Sequence, residues 1–101
     1  MSEYRLRPRA IADLDEIWDY TSSTWSEAQA ERYLLGLRDA LAVLKDQPEL
    51  GRPRNDLHPG LRVAIYAKHL IFYSHEEWGI DVVRVLHGSQ DVPALFRRDE
   101  S

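Results

Sequence analysis

Three residues in the second half of the chain have the types needed for acid–base chemistry on a phosphodiester: Arg62, Arg84 and His87. Guanidinium groups clamp phosphate oxygens through paired N–H donors, and an imidazole can give or take a proton near neutral pH. Tyr66 or Tyr73 would serve as helpers, and RNA cleavage is the reaction such a set would perform. A purely structural reading stands beside it. Arg84 then pairs with an acid such as Asp91 across the end of a sheet, and His87 hydrogen-bonds a backbone carbonyl where its strand stops.

Other chemistries find less support. His58, His69, His75 and His87 never fall at helical i, i+4 spacing and have no acidic neighbour to complete a ligand set, so no metal site is expected. Nothing in the sequence implies a cofactor. Asp13, Asp15, Glu16 and Asp19 resemble a carboxylate cluster but read as the solvated side of a helix. There is no glycine-rich phosphate loop and no Ser/His/Asp arrangement. With no cysteine among 101 residues, thiol chemistry and a disulfide scaffold are excluded. The net charge is -4, with 10 acids and 6 bases in residues 1–50 and 7 of each in residues 51–101. A pI of about 5.5 argues against nucleic acid as the primary ligand. No apolar run approaches the ~20 residues of a spanning helix, and the N-terminus is charged, so the expected compartment is the cytoplasm.

These side chains must be positioned by the elements that carry them. Tyr4-Arg5-Leu6-Arg7 alternates like a strand, and Pro8 suits the first position of a helix. Helix one is expected over residues 8–23, with Ala10, Ile11, Leu14, Ile17, Trp18 and Thr21 on its apolar side. Helix two begins after Ser26, which has capping-box spacing to Gln29, and ends at Pro48. Trp25 is expected to staple onto Ala30, while Trp78 lies in a turn. Ala30, Tyr33, Leu34, Leu37, Leu41 and Leu44 make its seam. Residues 48–60, rich in Pro and Gly, read as a loop of functional length. Strands follow at residues 61–67, 69–75 and 80–87, then a short helical turn over 91–96 and a polar tail.

The order β-α-α-β-β-β predicts one α+β domain over residues 1–101, with a helical hairpin packed on one face of a mostly antiparallel sheet. Alternation in the later strands is poor: Leu70, Ile71, Phe72 and Tyr73 are all large, and Val82, Val83, Val85 and Leu86 fall on both sides. One hairpin covers one face. Either C-terminal residues such as Leu95 and Phe96 fold over the other, or a second protein does. The apparent shortage of chain favours the partner.

The stretch YRLRPRAIADLDEIWDYTSSTWSEAQAERYL resembles the opening of the ParE toxins, and PELGRPRNDLHPGLR resembles their Pro-x-x-Gly-x-x-Arg loop and following strand. HLIFY and IDVVRVLHGSQD are similar to their last two strands, so the resemblance runs over about residues 4–92. It implies a RelE/ParE-like fold and the toxin half of a type II toxin–antitoxin pair. It further implies inhibition of DNA gyrase, which blocks replication, and neutralisation by a ParD-like antitoxin. Operator DNA would be met only through that antitoxin. The protein would then act by binding rather than by turnover. RelE-type relatives instead cleave mRNA in the ribosome and carry a dense basic set, of which only Arg62, Arg84 and His87 match here. A non-toxic interaction module is a third reading.

Under the antitoxin reading, the contacts are expected from the loop and the outward side of the second strand: Arg54, Arg62, Ala64, Tyr66 and Lys68. Acidic partner side chains would meet the basic members, and apolar anchors would meet Ala64 and Tyr66. That list depends on alternation, and a one-residue slip would exchange the faces. For gyrase the expected surface is the end of the last strand and the tail, with Arg84, His87, Arg97 and Arg98.

Overall fold

The alternating first residues form β1 (Glu3–Leu6), and Pro8, whose fixed φ suits a helix start, opens α1 (Pro8–Thr24). A computed structural model of the chain describes residues 2–100; Met1 and Ser101, the ends of the expected 1–101 domain, lie outside the described residues. α2 (Glu27–Asp46) is capped by Ser26, whose Oγ accepts from the Gln29 amide at 3.0 Å. Trp25, between the helices, is largely exposed rather than buried as a staple. Pro48 starts a single 3-10 turn (Pro48–Leu50). Within the expected loop the chain makes one short strand, β2 (Arg52–Pro53), that the sequence pattern did not reveal. β3 (Leu61–Tyr66), β4 (His69–Glu76) and β5 (Gly79–His87) then form a meander, and α3 (Val92–Glu100) closes the described chain.

The five strands lie in the order β1-β5-β4-β3-β2. β1 runs parallel to β5, and every other pair is antiparallel. The architecture is therefore the expected α+β arrangement of helices on a mixed, mostly antiparallel sheet. The β3–β4 hairpin leaves two residues for its turn, and Ala67 takes φ 50 to make it. Gly79 answers another constraint: a Cβ there would run into the Glu3 backbone where β1 joins the sheet.

α1 and α2 pack on one face through Ala10, Ile17, Leu37, Leu41 and Leu44, against Ile71, Tyr73, Ile80, Val82 and Val85. The opposite face is not bare. Val92 and Phe96 of α3 close over Leu61, Phe72 and Leu86, with Leu57, Val63, Leu70, Val83 and Leu95 around them. The Phe72 and Phe96 rings meet edge to face at 5.0 Å. This corrects the expectation that favoured a partner over that face; the alternative, that Leu95 and Phe96 fold back over it, is the arrangement found. Nine helical residues suffice, because the chain leaves β5 through a tight turn and returns directly across the sheet.

Helix one also departs from the expected pattern at Asp13, which is buried rather than solvated. It lies three residues from Ala10 and four from Ile17, on the same stripe. Its carboxylate accepts from Arg84 Nε at 2.8 Å, from Arg84 Nη2 at 2.9 Å and from the Val85 amide at 2.9 Å. Arg84 therefore pairs with Asp13, not with Asp91, which instead accepts from the Ala94 amide at the start of α3.

Candidate functional site

An apolar groove of about 710 Å³ lies between α2 and the β2–β3 side of the sheet. Ala40, Val43 and Leu44 line it from α2, Leu50 from the 3-10 turn, Arg52 and Pro53 from β2 with Arg54 after them, and Val63, Ala64 and Ile65 from β3. The helical period leaves Val43 outside the seam, and the strand period turns Ile65 away from the hairpin; Ile65 is 75% exposed. β2 pairs with Arg62 and Val63, so among the described residues the backbone of residues 64–66 has no strand beyond it. An uncovered edge beside apolar side chains can receive an extended or helical segment of another chain.

Of the expected contact residues, Arg54 and Ala64 line this groove, and the five do not form a single outward stripe. Ala64 and Tyr66 pack against the core beneath the helical hairpin, so the face assigned to them is reversed. Tyr66 lies so close to α2 that a Cβ at Gly36 would overlap its hydroxyl. The other parity, Leu61 and Val63, faces α3. Arg62 turns inward: its Nη1 donates to the carbonyls of Gly51 at 2.6 Å and Glu49 at 3.4 Å. Arg54 is held by Asp56 through two hydrogen bonds of 2.9 and 3.0 Å, and this partner raises its pKa. Lys68 sits exposed in the β3–β4 turn.

A second cluster stands at the far end of the same strands. Tyr66 pairs with His69, and His69 with His87, across three neighbouring strands. The Tyr33 hydroxyl lies 2.6 Å from His69 Nδ1, and the two imidazoles meet edge to face at 5.3 Å. His87 Nδ1 accepts from the Ser89 amide at 3.1 Å and lies 2.7 Å from its hydroxyl. Ser89, not the expected backbone carbonyl, is thus the His87 partner. Burial lowers the pKa of His69 and so does the neighbouring His87, with Asp13 opposing; burial likewise raises that of Tyr33.

Arg62, Arg84 and His87 do not converge. His87 shares a row with Tyr66, four residues along β3 from Arg62, about 13 Å at the rise of a strand. Arg84 is buried against Asp13, which also removes its guanidinium from the surface suggested for gyrase. His87, Arg97 and Arg98 of that suggestion remain on the outside. Sequence reasoning missed Asp13, Tyr33 and His69. The helical stripe contained the first; the β4–β5 turn alone would set His69 opposite Leu86, and a bulge between Phe72 and Tyr73 shifts it to His87.

Comparison with known proteins agrees with this frame. The family model described as ParE toxin of type II toxin-antitoxin system, parDE, matches residues 4–92. Toxin ParE1 of Mycobacterium tuberculosis is 44% identical over 92 residues, covering 90% of this chain and 94% of that protein. Toxin ParE1 of Caulobacter vibrioides is 35% identical over 94 residues, covering 93% and 97%. A solved chain described as the chromosomal ParDE TA system from P. aeruginosa has a TM-score of 0.72 at 19% identity, covering 86% of this chain and 96% of that one, and shares the fold. With the family pattern running from β1 into the start of α3, and relatives aligned over nearly their whole length, this chain belongs to the ParE toxin family of type II toxin–antitoxin systems.

Proposed function

We infer that this chain is a toxin that acts by binding, poisons DNA gyrase, and is neutralised by a ParD-like antitoxin seated in the α2–β3 groove. The observation carrying the antitoxin reading is the pairing of exposed apolar side chains, Val43, Leu50 and Ile65, with the unpaired backbone edge of residues 64–66. Arg52 and Arg54 stand at the rim, so an amphipathic segment with apolar anchors and carboxylates matches the groove in both respects. Ala64 and Tyr66 would support that segment from below, and Lys68 would flank it. The target reading rests on family membership, with His87, Arg97 and Arg98 as the proposed contact surface.

Two assays test the parts separately. Purified toxin is expected to inhibit gyrase supercoiling, and no effect at saturating toxin removes that target. Co-purification of the untagged antitoxin with tagged toxin is expected for the parent and lost in Ile65→Asp; retention at parental level removes the groove. A ribosome-dependent mRNA endonuclease remains a second reading because the Tyr33–His69–His87 cluster has acid–base groups in hydrogen-bond reach. Unchanged toxicity of a folded His87→Ala variant would eliminate it.

A further inference from the structure

One wall of the groove, residues 48–53, is made of a single 3-10 turn and a two-residue strand, elements with few backbone hydrogen bonds of their own. Two side chains from the sheet gather it. Tyr73, fully buried on β4, donates its hydroxyl proton to the Pro48 carbonyl at 2.6 Å and accepts from the Gly51 amide at 2.8 Å. Arg62 adds its bonds to the Gly51 and Glu49 carbonyls. Gly51 itself leaves no room for a Cβ, because the Tyr73 ring and hydroxyl occupy that space. Burial raises the Tyr73 phenol above its ordinary value, so the donated proton is kept.

We propose that Tyr73 and Arg62 are positioning residues for partner binding, holding residues 48–53 as a preformed wall of the groove. The inference rests on the reading of the groove as the antitoxin's seat. A wall ordered before encounter adds no ordering cost at binding, whereas a wall that opens reduces affinity in proportion to the fraction still closed. Arg62 is then a strut rather than a charge offered to an acidic partner residue.

The test uses Tyr73→Phe, which deletes one oxygen and keeps the ring, in the full chain with the co-purified antitoxin. Amide exchange at Gly51 and antitoxin affinity are measured on the same preparations. Tyr73→Phe removes both hydroxyl bonds and is expected to speed Gly51 exchange and weaken binding by about tenfold. Arg62→Gln is expected to do both to a similar degree, and Arg62→Lys, which keeps the charge but not the fork, to do so more than a pure charge contact allows. Parental affinity in Tyr73→Phe despite faster Gly51 exchange overturns the proposal, as does Gly51 exchange at the parental rate. Should Tyr73→Phe fail to fold, the Arg62 pair carries the same two readouts: weakened binding with unchanged Gly51 exchange makes Arg62 a contact and overturns the proposal. Ile65→Asp separates the failures. If it leaves binding intact, the groove reading itself is wrong; if it abolishes binding while Tyr73→Phe does not weaken it, only the positioning role is.

Discussion

β3 and β4 carry apolar side chains on both faces, but the chain finishes two parts of that surface differently. Under α3 the surface is closed in cis: Phe96 and Val92 seal it to the level of a core. At the β3 edge beside α2 it is left open, with Val43, Leu50 and Ile65 exposed and, among the described residues, no strand beyond residues 64–66. The difference teaches that apolar composition alone does not mark a binding surface. What marks one is apolar area that the chain's own elements pass by, next to backbone that still has hydrogen bonds to make.

The largest expected effect lies at the tether between α1 and β5, on which the helical hairpin is hung. Asp13→Ala leaves the Arg84 guanidinium buried without its carboxylate and frees the Val85 amide, which joins α1 to β5. Breaking one side of a buried pair costs roughly 3–5 kcal/mol, so urea denaturation is expected to show a large fall in midpoint. A midpoint within error of the parent would mean that α1 is held chiefly by its apolar stripe.

The sharpest contrast comes from two substitutions, one in the sealed patch under α3 and one at the open edge of β3. Phe96→Ala removes the ring that packs on Phe72 and is expected to cost about 3 kcal/mol in thermal or urea unfolding. Ile65→Asp on the open side is expected to change stability by no more than about 0.5 kcal/mol. Equal losses would erase the distinction between a sealed and an open side.

Gly51→Ala probes the boundary between them. Its Cβ meets the Tyr73 hydroxyl and ring, so a loss of roughly 1–3 kcal/mol is expected, with Gly36→Ala against Tyr66 behaving alike. Parental stability would show that the groove wall shifts freely.

The smallest effect is a matter of pH at the far end of the strands. The folded pKa of His69 is lowered, first by burial and then by His87, so its stabilising share is complete above the ordinary histidine value of about 6.5. It is lost as pH falls towards the folded value, because the unfolded chain takes up the proton first. Subtracting the stability-against-pH curve of His69→Gln should isolate that slope. Parallel curves between about pH 7 and 5 would refute it.

Much of this fold was legible in advance, and for local reasons. The Ser26 cap, the Pro8 start, the two amphipathic periods and the tight β3–β4 turn depend on residues within one or two turns of each other. The candidate site was less legible. Of the expected contacts Arg54, Arg62, Ala64, Tyr66 and Lys68, only Arg54 and Ala64 line the groove, and Ala64 and Tyr66 were assigned to the wrong side. Alternation has two equivalent phases, and when both faces are apolar, nothing within the strand chooses between them.

By itself the sequence determined the element order, the helix ends, the hairpins and the family to which the chain belongs. All of these follow from short-range periodicity, turn chemistry and motif spacing. Only the tertiary structure decided that α3 seals one sheet face, that Asp13 rather than Asp91 answers Arg84, and that Tyr73 and Arg62 brace residues 48–53. Those outcomes join residues 11 to 71 positions apart. They depend on where the packed elements bring the chain back to itself, which no local pattern encodes.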